Sequence, residues 1–185
     1  MSNSVSKSFL NSSIGAKQIV AITGLLMILF LVAHMAGVMQ IFLGQEPLNE
    51  YGIFLRELGH GTLIWVARIG LLGVFIVHIF FSIRLARLNS QARQSRYAQT
   101  TTRKASIFSR SATYTGLLIT VFVLVHVGHF ALGVVDPEAF HVVDDKGRHD
   151  VYMMMVQSFA APVTVAFYII SMVVIFSHLA HGAKS

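Results

Sequence analysis

The sequence predicts an all-α protein, a transmembrane up-down helical bundle with four spanning helices. Apolar residues make up 55% of its 185 residues and charged residues only 12%, about half the charged fraction of a soluble domain. Mean hydropathy is +0.68. Four apolar stretches, residues 17–43, 60–85, 112–135 and 151–181, each reach the ~20 residues that cross a hydrocarbon core.

The polar, serine-rich start MSNSVSKSFLNSSIGAKQ lacks the form of a cleavable signal, and the apolar run behind it is too long for a signal h-region. The first stretch is therefore expected to stay as an anchor. All eight acidic residues fall before the second and fourth stretches: Glu46, Glu50 and Glu57, then Asp136, Glu138, Asp144, Asp145 and Asp150. Between the second and third lie Arg84, Arg87, Arg93, Arg96, Arg103, Lys104 and Arg110 with no acid. Lys7, Lys17 and Lys184 mark the termini. The positive-inside rule places both termini and the basic loop, residues 86–111, in the cytoplasm and the acidic loops outside. The pI near 10 thus has a topological explanation and predicts no nucleic-acid partner; docking to an acidic soluble partner or to anionic membrane lipid is the alternative use of the basic loop. Tyr51, Trp65 and Tyr152 fit the outer interface, Tyr97 and Tyr114 the inner one. The whole chain, residues 1–185, is expected to form a single membrane-anchor domain.

Each stretch carries a deep histidine: His34, His78, His126 and His178. Ionisable groups in spanning helices are costly and usually functional. The first and third helices run outward with His34 and His126 late in them; the second and fourth run inward with His78 and His178 late. At ~1.5 Å of rise per residue each pair shares a depth, and in an up-down bundle each pair lies on a diagonal. Four such nitrogens hold two planar metal cofactors at their axial positions, which predicts two stacked bis-histidine haems b. An internal repeat supports the pairing: TGLLMILFLVAH, Thr23 to His34, and TGLLITVFVLVH, Thr115 to His126, agree at six of twelve positions. Gly24, Gly37, Gly70, Gly73, Gly116, Gly128 and Gly133 admit either a porphyrin face or ordinary close helix packing. The chain has no cysteine, which excludes disulfides, iron–sulfur ligation and thiolate haem ligation by its own residues.

His129 and His181 sit three residues beyond a candidate ligand and are alternative ligands or partners of haem propionates. His60, His141 and His149 belong to the outer boundary, with quinone-linked proton transfer open to His60. Arg68, ten residues before His78, suits a propionate or quinone counter-ion, or a side chain snorkelling to the interface.

The stretches SSIGAKQIVAITGLLMILFLVAHMAG, GLLGVFIVHIFFSIRL, TGLLITVFVLVHVGHF and AFYIISMVVIFSHLAHG resemble the di-haem cytochrome b membrane anchor of succinate dehydrogenases and fumarate reductases, in its single-subunit form. The resemblance runs from about Ser12 to Gly182. It implies His34 with His126 as ligands of an outer haem and His78 with His178 as ligands of an inner one. The family pattern H-x-x-x-G selects His178 before Gly182 over His181. Family members continue into a fifth membrane helix, whereas this sequence stops at Ala-Lys-Ser. The implied role is electron transfer between an iron–sulfur subunit and membrane quinone, expected as menaquinone. In that arrangement a flavoprotein subunit performs the dicarboxylate chemistry, and the complex lies in the cell's inner membrane. No catalytic residue is expected in this chain. Two other readings stay open on the residues alone: a hydrogenase or formate dehydrogenase cytochrome b, and a cofactor-free transporter-like or structural subunit whose histidines relay protons or pack helices.

Overall fold

The computed structural model describes residues 12–91 and 107–183. Its elements are α1 (Ser13–Val38), a 3-10 segment (Met39–Leu43), α2 (Gln45–Glu57), α3 (Thr62–Gln91), α4 (Ile107–Phe130), α5 (Pro137–Phe140), α6 (Val151–Ser158) and α7 (Pro162–Gly182). The fold is all-α among the described residues, and four stretches are long and apolar enough to cross a membrane: Ser13–Leu43, Thr62–Asn89, Ala112–Phe130 and Pro162–Gly182.

Helix boundaries follow local chemistry. Ser12 caps α1, its Oγ accepting from Gly15 N–H at 2.9 Å. The start of α3 is set by Gly59, His60 and Gly61, with φ of 61°, 56° and 79°. Three successive left-handed residues cannot continue a helix. Thr62 Oγ1 closes the turn by donating to Gly59 O. The second span therefore starts at Thr62, and His60 belongs to the turn. Helix α4 stops at Phe130, short of the expected end at residue 135. Gly133 takes φ 67° where a Cβ would collide with the Phe140 ring, and Val134 N–H bonds back to Gly128 O.

The fourth apolar stretch, expected to be continuous over residues 151–181, is broken. Asp150 caps α6 through Met153 N–H, and α6 ends after two turns. Pro162 then restricts Ala161 to extended backbone (φ −80°, ψ 120°) and opens α7. The span is Pro162–Gly182. All three prolines occupy the first turn of a helix, where a missing N–H costs little. The first acidic loop holds the helix α2, unanticipated from its charge. Of the basic loop 86–111, residues 92–106 lie outside the described ones; its flanks are helical, belonging to α3 and α4.

The spanning helices form two hairpins, α1 packed on α3 and α4 packed on α7, with thinner contact between α3 and α4. At most 17% of any span's most apolar window is buried, and Leu29, Ile69, Val163 and Phe176 all point outward, as lipid-facing helices require. Burial concentrates at the end carrying the acidic loops, where α2 meets α6. There Asp150 and Asn49 are each 1% exposed. Asn49 Nδ2 and Gln45 Nε2 donate to the two Asp150 oxygens at 2.9 and 2.6 Å, while Asn49 Oδ1 accepts from Tyr152 N–H. Burial pushes the Asp150 carboxyl up, but the hydrogen bonds from Met153 N–H, Asn49 and Gln45 outweigh it and hold it below the usual range.

On the outside of that clamp, Arg148 bridges Glu46 at 2.8 Å and Asp144 at 2.7 Å, and Lys146 joins Glu46. The Arg148 hydrogen bond lowers Glu46 from 4.5 to about 2, with Lys146 adding to it, and also lowers Asp144 from 3.8 to about 2. A depressed carboxyl stabilises the fold above its unfolded value and loses that contribution as pH falls through the folded one. The thermal midpoint in detergent is therefore expected to be flat above about pH 5 and to fall between about pH 4 and pH 2. Arg148→Gln should flatten that acid limb. The same acid limb in Arg148→Gln and the parent would count against this assignment, and added salt should weaken the effect at Glu46, whose side chain is 46% exposed.

Candidate functional site

The repeat seen in the sequence has a structural meaning at every polar position. Thr23 lies on α1 and its Oγ1 is 3.0 Å from His78 Nδ1 on α3. Thr115 lies on α4 and its Oγ1 is 3.0 Å from His178 Nδ1 on α7. Each repeat threonine thus holds the histidine of the neighbouring helix in its own hairpin. Gly24 and Gly116 lie beside the same rings: a Cβ at either would sit 3.5 Å from the histidine Cε1. Phe30 stacks on His34 and Phe122 on His126, both with ring centroids 5.5 Å apart. Threonine and glycine serve one histidine, phenylalanine another.

These hydrogen bonds assign tautomers. The Thr23 hydroxyl has one proton, and it goes to a carbonyl: Ile19 O lies at 2.7 Å, with Val20 O at 3.2 Å. With that proton on the carbonyl, the Thr23 oxygen can accept from His78 Nδ1–H, the tautomer that leaves Nε2 with a free lone pair. Thr115 Oγ1 donates to Ala112 O at 3.1 Å, which lets it accept from His178 Nδ1–H in the same way. Both rings offer Nε2 as a metal-binding nitrogen, with the opposite N–H anchored as ligating histidines usually have it.

Across the hairpins, His34 and His126 face each other with ring centroids 5.7 Å apart and planes at 83°. His78 and His178 are close enough for their charges to interact. The structure thus brings His34 and His126 together as a ring pair and sets His78 within electrostatic reach of His178. Among the described residues no group of three or more His, Cys, Asp or Glu could hold a bare metal ion. Paired imidazoles suit instead a planar group that brings its own equatorial donors.

His129 lies apart from these pairs. It is 4% exposed, and its Nδ1 is 3.3 Å from Tyr168 Oη, which stands equally 3.3 Å from His126 Nδ1. Its Nε2 is buried without a hydrogen bond, 4.0 Å from Asp136 Oδ2. Asp136 in turn caps α5 through Ala139 N–H and accepts from Ser158 Oγ. His181 is half-buried in the last turn of α7. Arg68 is exposed, with its guanidinium 5.2 Å over the Trp65 ring. His60, His141 and His149 all fall outside the spans, the last two against Phe140.

Of the glycines, Gly37 answers to packing: a Cβ there would lie 2.8 Å from the Tyr51 ring. Sequence reasoning missed Tyr168 and both threonine–histidine bonds. The repeated Thr-Gly pair was the available signal for the threonines; for Tyr168 nothing local distinguished it from an interfacial tyrosine.

Tyr168 Oη joins His126 to His129, and its ring packs among Phe122, Phe159 and Phe167. Tyr168→Phe should therefore cost about 1 kcal/mol, and Tyr168→Ala about 3–5 kcal/mol through the lost aromatic packing. Thermal unfolding in detergent measures the order; equal losses in the two variants would show that the hydroxyl, rather than the ring, carries the site.

Comparison with protein-family models, with curated proteins and with solved structures finds no match.

Proposed function

We propose that the chain is a di-haem b membrane anchor that carries electrons between an iron–sulfur subunit and membrane quinone. The supporting observation is the geometry of four imidazoles in two pairs, with Nε2 freed in His78 and His178 by the threonine bonds. The facing rings of His34 and His126, with centroids 5.7 Å apart, would let one nitrogen of each hold the same metal group. In this reading His34 and His126 hold one haem and His78 and His178 the other. A haem held between two histidines supplies reversible one-electron storage with no open iron position.

The chain's own residues supply binding, orientation and insulation. With His126 ligating through Nε2, its Nδ1–H donates to Tyr168 Oη. The Tyr168 hydroxyl then donates to His129 Nδ1, and His129 Nε2–H is left aimed at Asp136. His129 is thereby a partner of a ligand through Tyr168. Arg68 stays at the interface over Trp65, and His181 is no ligand. The motif resemblance extends the proposal to a succinate:quinone or fumarate:quinone oxidoreductase with a flavoprotein subunit and menaquinone as substrate. The resemblance also extends it to an inner-membrane location, and the charge distribution to an orientation with both termini and the 86–111 loop cytoplasmic.

A reduced-minus-oxidised spectrum of the purified complex should show a b-type α-band, with two haems per copy of this chain. No band, or one haem in a fully loaded preparation, would overturn the proposal. His78→Ala and His178→Ala should each remove one and the same haem, and His34→Ala and His126→Ala the other. His129→Ala and His181→Ala should leave both. The copurifying soluble subunits decide the assembly: a hydrogenase or formate dehydrogenase in place of a flavoprotein and an iron–sulfur protein would refute that part and leave the haem assignment standing.

Labelling of single cysteines introduced in the 86–111 loop checks the orientation. Reaction with a membrane-impermeant reagent is expected only after the cells are opened, and reaction in intact cells would reverse the topology.

A further inference from the structure

Resting on the assignment of His78 and His178 as axial ligands, we propose that Thr23 and Thr115 are positioning residues that together set the reduction potential of the haem those histidines hold. Each hydroxyl meets Nδ1 at 3.0 Å while giving its own proton to a backbone carbonyl of its helix. A hydroxyl that donates in this way becomes a stronger acceptor, because linked hydrogen bonds polarise one another. Stronger acceptance draws the Nδ1 proton outward and raises electron density on the ring, making Nε2 a more basic ligand. A more basic ligand favours the more highly charged, oxidised iron and lowers the potential.

The arrangement is duplicated, one threonine per ring on opposite hairpins, so the two contributions have the same sign. The other pair is held differently. His126 shares one phenol with His129 at 3.3 Å from each, a longer bond to an oxygen that serves two imidazoles. Threonine hydroxyls bonded only to their own helix backbone are common in membrane helices and tune nothing; here Thr120 Oγ1 to Gly116 O is such a bond. Thr23 and Thr115 differ from it in carrying an imidazole as well.

The test is potentiometric titration of the complete haem-loaded complex, followed optically. Thr23→Val and Thr115→Val keep the side-chain shape and remove the hydroxyl acceptor, while the Val20 carbonyl stays beside the His78 ring. Each should raise the midpoint potential of one haem, the one that His78→Ala removes, and the double variant should raise it further. Thr23→Ser and Thr115→Ser, which keep an oxygen, should restore the parent value. Unchanged potentials in loaded valine variants, equal displacement of both haems, or failure of serine to restore the value would each overturn the proposal. If Thr23→Val sheds the haem, Thr23→Ser must retain it at the parent potential, and a serine variant that also sheds it refutes the idea. A parent complex without haem would instead defeat the underlying ligand assignment, which separates the two failures.

Discussion

An imidazole inside an apolar helix bundle needs protein partners for its polar nitrogens, because lipid offers no water to satisfy them. That constraint organises the membrane-spanning part of this protein. Two of the four deep rings are tied through Nδ1 to threonines of the adjacent helix, and a third is tied to Tyr168. The threonines can accept because their own protons are spent on the helix backbone. The hairpins α1/α3 and α4/α7 are therefore joined by polar contacts at chosen depths, while apolar side chains around them face outward. Helix association in lipid has little hydrophobic drive, so such contacts and close packing carry it.

The end with the acidic loops obeys a different rule. There the chain buries polar groups among themselves, with Asp150 receiving Asn49, Gln45 and the start of α6. This clamp joins α2, in the loop of the first hairpin, to the segment that leads into the last span. It ties the two halves at one end, where the spans themselves touch only thinly between hairpins.

Four spans and their order were legible because length and apolarity are local properties of a sequence. The break before Pro162 was missed, although the proline was visible, since residues 151–158 are apolar enough to merge with the span behind them. Helix α2 was hidden by reading its segment for charge alone. The positions of His34 and His126 opposite one another follow from depth, a one-dimensional quantity, and the fold pairs them. What depth could not convey was the partner of each Nδ1. Thr23 and His78 are 55 positions apart and Thr115 and His178 are 63 apart, so those contacts exist only once hairpins have closed. The repeated Thr-Gly pair marks these threonines, but a linear pattern does not name a partner on another helix.

The division into two hairpins also has a consequence for the order of synthesis. The bond between Thr23 and His78 lies wholly within the first hairpin, so it can form while α4 is still being translated. The bond between Thr115 and His178 waits for α7. The pairs His34/His126 and His78/His178 each draw one ring from either hairpin, so neither can be completed by half a chain. Two of the four rings are thus held in fixed tautomers by local partners before their opposites arrive. The first hairpin by itself holds His34 and His78, and both rings face their opposites only once α4 and α7 are in place.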